Sequence, residues 1–181
     1  MDIFIALLRG VNVGGKNILP MKELVDLLSE MGLRQVKTYI QSGNVVFRSE
    51  GTDSDKLSQD ISAAIAQKFE FTPPVLTLSI EAFGQAIAAN PFTEVEDTPK
   101  ALHLFFLASK PTSPDLDSLD AIQKSSERFA LIDSVFYLFA PEGIGRSKLA
   151  AKIEKAMNVP VTARNWRSVN KIMSMAEALN K

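Results

Sequence analysis

The chain has 181 residues, of which 46% are hydrophobic and 23% are charged, a composition typical of globular proteins. It contains no cysteine, which excludes disulfides, thiolate catalysis and cysteine-ligated metals. The net charge of −1 provides no overall field for nucleic acid or membranes, although residues 141–181 hold eight Lys and Arg against three acids.

Hydrophobic periodicity predicts the order β-α-β-β-α-β in the first part of the chain. The predicted elements are a strand at 2–9, a helix at 20–31, strands at 36–40 and 44–48, a helix from 53 or 54 to 69, and a strand at 75–80. Pro20 suits the first turn of its helix, and Gly32 suits its C-terminal cap. The polar, glycine-containing joint at 41–44 predicts a hairpin.

A helix at 81–89 and an acidic, turn-rich loop at 93–99 lead into a second run of the same order. Its predicted elements are a strand at 102–108, a helix at 115–124, strands at 128–132 and 135–139, a helix at 147–157, a short strand at 159–162 and a last helix at 166–179. This order is that of ferredoxin-like units. We therefore predict an α+β protein of two ferredoxin-like βαββαβ halves, 1–80 and 101–181, with antiparallel sheets, a connection at 81–100 and a C-terminal helix. The halves share almost no residue identity, so the duplication is one of pattern.

The string from Gly10 to Asn17 resembles a phosphate-binding P-loop but departs from it in two ways. That motif requires a hydroxyl after its lysine, and Asn17 supplies an amide instead. Its helix also begins at the lysine within a parallel sheet, whereas residues 18–20 precede the helix predicted here. The sequence therefore disfavours nucleotide hydrolysis. Two interpretations of the segment stay open. It is either a ligand-binding loop, or a rigid loop in which the Asn12 and Asn17 side chains form hydrogen bonds with the local backbone.

Four strings together resemble the bacterial DUF1697 family. They are RGVNVGGKN at 9–17, YIQSGNVVF at 39–47, EGIGRSKL at 142–149 and TARNWR at 162–167. The resemblance covers essentially the whole chain, with Ser168 standing where many relatives have threonine. It implies an α+β fold of ferredoxin-like character and brings no established activity.

The polar side chains of these strings are rich in donors and poor in acids. Glu142 is their only carboxylate, so they lack a suitable general base and suit anion binding better than bond breaking. We expect the four strings to gather around one cleft. The candidate ligand-binding residues are Arg9, Asn12, Lys16, Asn17, Gln41, Ser42, Asn44, Arg146, Ser147, Lys148, Arg164 and Asn165.

Structural interpretations stand beside the functional ones. The segment 143–148 combines two glycines, two cations and Ser147 at a predicted helix start, a pattern that attracts anions. Alternatively, Ser147 only caps its own helix. The polar residues at 41–44 are equally explained by a hairpin turn with Asx-type hydrogen bonds to its backbone. Trp166 is better interpreted as a core anchor than as a base-stacking platform.

Other chemistry has little support in the sequence. The single His103 lies in an apolar strand, facing a partner or solvent, without an acid or second histidine at ligand spacing. We therefore predict neither a metal site nor a cofactor. No apolar run approaches the ~18 residues of a membrane span. Asp2 stands where a signal peptide would carry a basic residue. We expect a cytoplasmic protein without a membrane partner.

The prediction is a protein that binds a small phosphate- or carboxylate-bearing ligand, of which a nucleotide is one example. Two alternatives stay open: a structural or protein-interaction module without a ligand, and an enzyme acting on a phosphorylated metabolite. In the enzyme, Lys16 or Lys148 would carry the proton. Nucleic acid is not excluded as a partner, although the aromatic string of RNA-recognition motifs is absent.

Overall fold

A computed structural model of the chain describes residues 1–95 and 97–180. Residue 96, inside the predicted loop 93–99, and residue 181, at the end of the predicted second half, lie outside the described residues. The chain divides into two units. The first comprises Met1–Gln85 with Lys171–Lys181, and the second comprises Ala86–Asn170.

The first unit is built on a four-stranded antiparallel sheet in the order β2-β3-β1-β4. Its elements are β1 (Asp2–Leu8), α1 (Met21–Glu30), β2 (Arg34–Tyr39), β3 (Asn44–Ser49), α2 (Ser54–Phe69), β4 (Val75–Ser79) and the start of α3 (Ile80–Ala88). This order confirms the first predicted ferredoxin-like half.

One face of this sheet forms the core of the unit with α1 and α2. Phe4 and Leu8 of β1 are buried in the same cluster as Leu24 of α1 and Ile61 of α2. Burying side chains of this kind stabilises a fold by about 1.5–3 kcal/mol each. Asp53 caps the start of α2 by accepting hydrogen bonds from the two backbone amides at 55 and 56, which agrees with the predicted start at 53 or 54.

The second unit has the same architecture, with the antiparallel sheet order β6-β7-β5-β8. Its regular elements are β5 (Leu102–Leu107), α4 (Leu116–Asp120), β6 (Arg128–Ile132), β7 (Val135–Phe139), α5 (Ile153–Met157), β8 (Val161–Asn165) and the start of α6 (Trp166–Glu177). Short 3₁₀ turns occupy Thr93–Val95, Ile144–Arg146, Ala150–Lys152 and Ala178–Asn180. The α+β class and the second ferredoxin-like order are thus confirmed.

Two parts of the second unit differ from the prediction. The helix expected at 147–157 is regular only from Ile153, after the 3₁₀ turn at Ala150–Lys152. Ser147 Oγ accepts a hydrogen bond from the Ala150 amide at 3.0 Å, as the N-cap residue of a helix does. The strand expected at 159–162 is β8. Pairing with β5 extends this strand to Asn165, and it therefore contains Arg164. The helix expected at 115–124 is the shorter α4.

Candidate functional site

The glycine-rich segment after β1 is a small hairpin rather than a phosphate cradle. Gly14 and Gly15 have positive φ angles of 58° and 73°, and the Lys16 amide donates to the Val13 carbonyl at 3.0 Å. Positive φ at both central residues is the signature of a type I′ turn. The sheet is antiparallel and α1 begins only at Met21, so the segment lacks the frame of a P-loop.

Two asparagines hold this hairpin from the inside. The Asn12 amide nitrogen donates to the carbonyls of Leu19 and Gln41, at 2.9 and 2.8 Å, and its oxygen accepts from the Leu19 amide at 2.8 Å. Asn17 donates to the Gly10 carbonyl at 2.9 Å. These bonds occupy the side chains within the protein, and they match the interpretation in which both residues shape the loop.

The β2–β3 hairpin lies against this segment. Asn44 is buried and donates to the Tyr39 carbonyl at 3.1 Å and to Ser42 Oγ at 3.0 Å. Gly43 has a φ of +75°, and its carbonyl accepts from the Leu8 amide at 2.8 Å. A Cβ built on Gly43 would lie 2.6 Å from the Cβ of Leu8. The close approach of the two segments therefore requires glycine at this position.

The structure thus brings the first two strings together at the end of the first sheet where β1 ends and β3 begins. We call residues 9–18 and 40–43 the loop surface. Arg9, Lys16 and Gln41 are exposed on it, and Ser42 is half-buried. Of the predicted ligands in this unit, Asn12, Asn17 and Asn44 are committed to internal hydrogen bonds.

The second unit contains a cavity of about 440 Å³ at the sheet end where β5 begins and β7 ends. The Ala140 amide donates to the Ala101 carbonyl at 2.8 Å, which joins the two segments that flank it. The lining is largely apolar and includes two cations. It consists of Thr98, Pro99, Lys100, Ala101, Ala140, Pro141, Gly143 and Arg167. We call this space the Lys100–Arg167 cavity.

Both cations of the cavity are available to a ligand. Lys100 and Arg167 are exposed, and neither side chain forms a salt bridge or hydrogen bond with another residue that the structure describes. The Arg167 backbone amide donates to the Pro99 carbonyl at 3.3 Å, which places the first turn of α6 beside the segment that carries Lys100. The cavity therefore offers one guanidinium fork and one ammonium beside apolar walls.

The third string contributes Gly143 to this cavity, whereas its other candidates have different roles. Ser147 is buried and closes the turn with Ala150. Arg146 and Lys148 are exposed and do not line the cavity. The carboxylate of Glu142 accepts from Lys124 Nζ and from Ser126 Oγ, each at 2.8 Å. These two hydrogen bonds, Lys124 first, hold the pKa of Glu142 below its usual value.

The fourth string is mainly structural. Asn165 Oδ1 accepts from the Ser168 amide at 2.8 Å and so caps the start of α6. Arg164 is half-buried and donates to the Ala163 carbonyl at 2.8 Å. Burial lowers the pKa of Arg164 to about 10, so it stays charged at neutral pH. Trp166 is buried, which matches its interpretation as a core anchor.

His103 is a buried residue of the second sheet. The ring is buried in β5, and its Nδ1 has no hydrogen-bond partner among the described residues. Burial lowers the pKa of His103 and favours the neutral ring. Across residues 1–95 and 97–180, no three His, Asp or Glu side chains are grouped as metal ligands. In those same ranges no helix is long and apolar enough to cross a membrane.

Sequence reasoning therefore missed the two cations of the cavity. Lys100 follows the acidic loop, and Arg167 ends the fourth string. The antiparallel order could have revealed both, because the start of one strand and the end of its neighbour meet at the same sheet edge. The strings at 143–148 and 162–167 do meet there, through Gly143 and Arg167. The expectation that all four strings share one cleft stays a prediction.

Comparison with known proteins gives a family and a structural relative. The sequence pattern of the family described as "Protein of unknown function (DUF1697)" matches residues 1–137. The structure of the conserved bacterial protein SP0830 from Streptococcus pneumoniae is similar, with 26% identity and a TM-score of 0.71. The match covers 97% of this chain and 98% of that protein. No curated protein matches the chain.

Proposed function

We propose that this chain, which belongs to the DUF1697 family, binds a small anionic ligand in the Lys100–Arg167 cavity. The observation that carries the proposal is the pair of exposed cations on the wall of one largely apolar cavity. Ligand sites in proteins are typically concave and apolar, with a few polar groups that fix orientation. A cavity of about 440 Å³ falls within the usual range for such sites.

The walls indicate which anions would fit. Pro99, Ala101, Ala140 and Pro141 present small apolar groups that suit a compact apolar body. Arg167 can bind a carboxylate or phosphate through two parallel N–H donors, and Lys100 adds a second charge without fixed geometry. The ligand class is therefore a small molecule that joins a phosphate or carboxylate to a short apolar part.

Binding is better supported than catalysis. Two carboxylates adjoin the lining residues along the chain: Asp97 precedes Thr98, and Glu142 lies between Pro141 and Gly143. Neither is a lining residue, and Glu142 is engaged by Lys124 and Ser126. A base held by two donors, with its pKa lowered, is poorly suited to take a proton at neutral pH. Among the described residues, those that line the cavity include no acid and no histidine.

The test is a titration of the full chain with phenyl phosphate, benzoate and inorganic phosphate, followed by amide NMR. We expect shifts at Ala101, Gly143 and Arg167, and a Kd of about 0.1–1 mM for phenyl phosphate once association costs are included. Affinity should fall as salt is added. Because one charge-assisted hydrogen bond is worth about 1.5–3 kcal/mol, Arg167→Gln should weaken binding by about 10- to 100-fold.

A matched charge variant tests whether anions bind in this cavity or are attracted to the positive charge of the unit in general. Lys155→Gln removes one positive charge from the same unit, but Lys155 lines a different cavity with Asp115 and Lys152. It should leave the affinity unchanged. The proposal fails if the three amides do not respond to any of the anions. It also fails if Lys155→Gln weakens binding as much as Arg167→Gln does.

A further inference from the structure

The loop surface of the first unit concentrates exposed hydrophobic side chains. Val13, Ile18 and Ile40 keep 64%, 59% and 52% of their area exposed. They are three of the four large hydrophobic residues that are exposed within the part of the chain that the structure describes. Single exposed hydrophobic residues are common, but a group of them marks an interaction surface.

The Asn12 side chain ties these three residues to one place. Its amide nitrogen donates hydrogen bonds to the carbonyls of Leu19 and Gln41, at 2.9 and 2.8 Å. Ile18 precedes Leu19, Ile40 precedes Gln41, and Val13 follows Asn12 itself. Each hydrophobic residue is therefore a direct neighbour of a residue in this hydrogen-bonded group. The surface is preorganised, which reduces the entropy lost on binding.

The backbone at Ile40 gives a second reason to assign a function to this surface. Its φ is +51°, in the left-handed region that β-branched residues rarely adopt. Asn or Gly would relieve that strain, and the side chain is half exposed rather than packed in the core. Strained residues of this kind concentrate at functional sites. Stability of the fold does not explain isoleucine here.

The charges of the surface indicate the chemistry of its partner. Residues 9–18 and 40–43 include Arg9 and Lys16 and contain no acid. Lys16 is exposed and forms no ion pair with another described residue. A partner that covers this surface therefore carries carboxylates beside apolar side chains. A second copy of the same surface would bring like charges together and is disfavoured.

The exposed backbone favours a protein partner over a membrane. Gly14 and Gly15 form the tip of the hairpin, and their amides make no backbone hydrogen bond within the described ranges. Hydrocarbon provides no acceptor for such groups, whereas a peptide provides carbonyl and carboxylate oxygens. We propose that the loop surface docks an extended acidic segment of a partner protein, with Val13, Ile18 and Ile40 contacting its apolar side chains.

The experiment is a selection of random dodecapeptides on the immobilised full chain. The counter-selection uses the Val13→Ser, Ile18→Ser, Ile40→Ser triple variant. We expect the enriched peptides to combine apolar residues with a net negative charge. Synthetic versions should bind the chain, and Lys16→Gln should weaken them and reduce the effect of salt. Lys22→Gln, on α1 outside the loop surface, is the matched charge control and should have no effect.

Ile40→Asn distinguishes a binding role from a structural one. Asn accepts the left-handed backbone, so the melting temperature should stay equal or rise. The affinity of the selected peptides should nevertheless fall by at least about tenfold, a loss typical of a contact that dominates an interface.

The proposal is overturned if no acidic, apolar peptides are enriched, or if those peptides bind the triple variant equally well. It is also overturned if Ile40→Asn unfolds the chain. Vesicles of phosphatidylcholine and phosphatidylserine provide the competing test. If the three side chains govern vesicle binding instead, the surface is a membrane site.

Discussion

Gly43 provides the sharpest test of how the loop surface is held in place. Its φ of +75° is almost equal to the +73° of Gly15. A Cβ on Gly15 would meet nothing within 4 Å, whereas a Cβ on Gly43 would lie 2.6 Å from Leu8 Cβ and 2.9 Å from Val11 Cγ2. The two alanine variants therefore share the backbone strain and differ in the steric overlap.

The expected magnitudes follow from that comparison. A left-handed conformation costs an alanine about 1–2 kcal/mol. Alanine also lowers the conformational entropy of the unfolded chain, which offsets about 0.4–1 kcal/mol of that cost. Gly15→Ala should therefore lower the free energy of unfolding by about 1 kcal/mol. Gly43→Ala adds overpacking, worth about 1–3 kcal/mol, for a total of about 2–4 kcal/mol. The overlap with Leu8 Cβ cannot be relieved by a side-chain rotation.

Urea denaturation followed by far-ultraviolet circular dichroism measures both variants. The Gly43→Ala midpoint should fall clearly below that of Gly15→Ala, with similar slopes for the two variants. The hydrogen bond from the Leu8 amide to the Gly43 carbonyl, at 2.8 Å, prevents the strands from separating to make room. Equal midpoints for the two variants would show that the segments adjust, and the argument from close approach would be wrong.

Three further outcomes are expected. Tyr137 is buried and donates to the Ala86 carbonyl at 2.7 Å, so Tyr137→Phe should lower the free energy of unfolding by about 1–3 kcal/mol in urea denaturation. Burial lowers the pKa of His103 from 6.5, so its contribution to stability is complete above pH 6.5 and is lost as the pH falls toward the folded pKa. His103 is the only histidine, and unfolded carboxyls titrate near ~4, so this pH range reports on His103. As the pH is lowered from 6.5 to about 5, the urea midpoint should decline in the native chain and stay level in His103→Gln. Asn12→Ala should speed hydrogen exchange of the loop amides and lower stability by about 1–3 kcal/mol, because it leaves the Gln41 and Leu19 carbonyls without their donor; unchanged exchange would contradict this role.

The sequence predicted strands more accurately than the segments that connect them. β6 and β7 begin and end at the predicted residues, because short apolar runs bounded by turn residues leave few alternatives. β8 was predicted too short. Arg164 interrupts its hydrophobic pattern, and only pairing with β5 reveals that the strand continues. Long-range pairing of this kind cannot be inferred from a local pattern.

The candidate site shows a different limit. The sequence makes four asparagines candidate ligands, because a donor-rich loop can bind an anion: Asn12, Asn17, Asn44 and Asn165. The same side chains can equally bond the backbone that carries them, and in the structure they do so. Residue type alone does not show whether an amide points into its own loop or outward.

The two units also allow an internal comparison that supports the choice of cavity. In each sheet, a cavity lies where the first strand begins and the third strand ends. In the first unit it is lined by Met1 of the β1 start and Ser49 of the β3 end, with a volume of about 370 Å³. The rest of each lining differs, because the start of β2 and α2 complete the first cavity and the first turn of α6 completes the second.

The two cavities also differ in their charged residues. The first cavity includes Arg34 but also the carboxylates of Glu50 and Asp60, whereas the described residues of the second include Lys100 and Arg167 and no acid. Of these two cavities, only the second has an excess of positive charge among its described lining residues. Because a fold by itself does not determine function, this difference in side chains makes the second cavity the better candidate for anion binding. The first cavity then serves as an internal control in the same titration. Amides near Ser49 should not respond to phenyl phosphate, and a response equal to that of Gly143 would mean that the anion recognises concavity rather than charge.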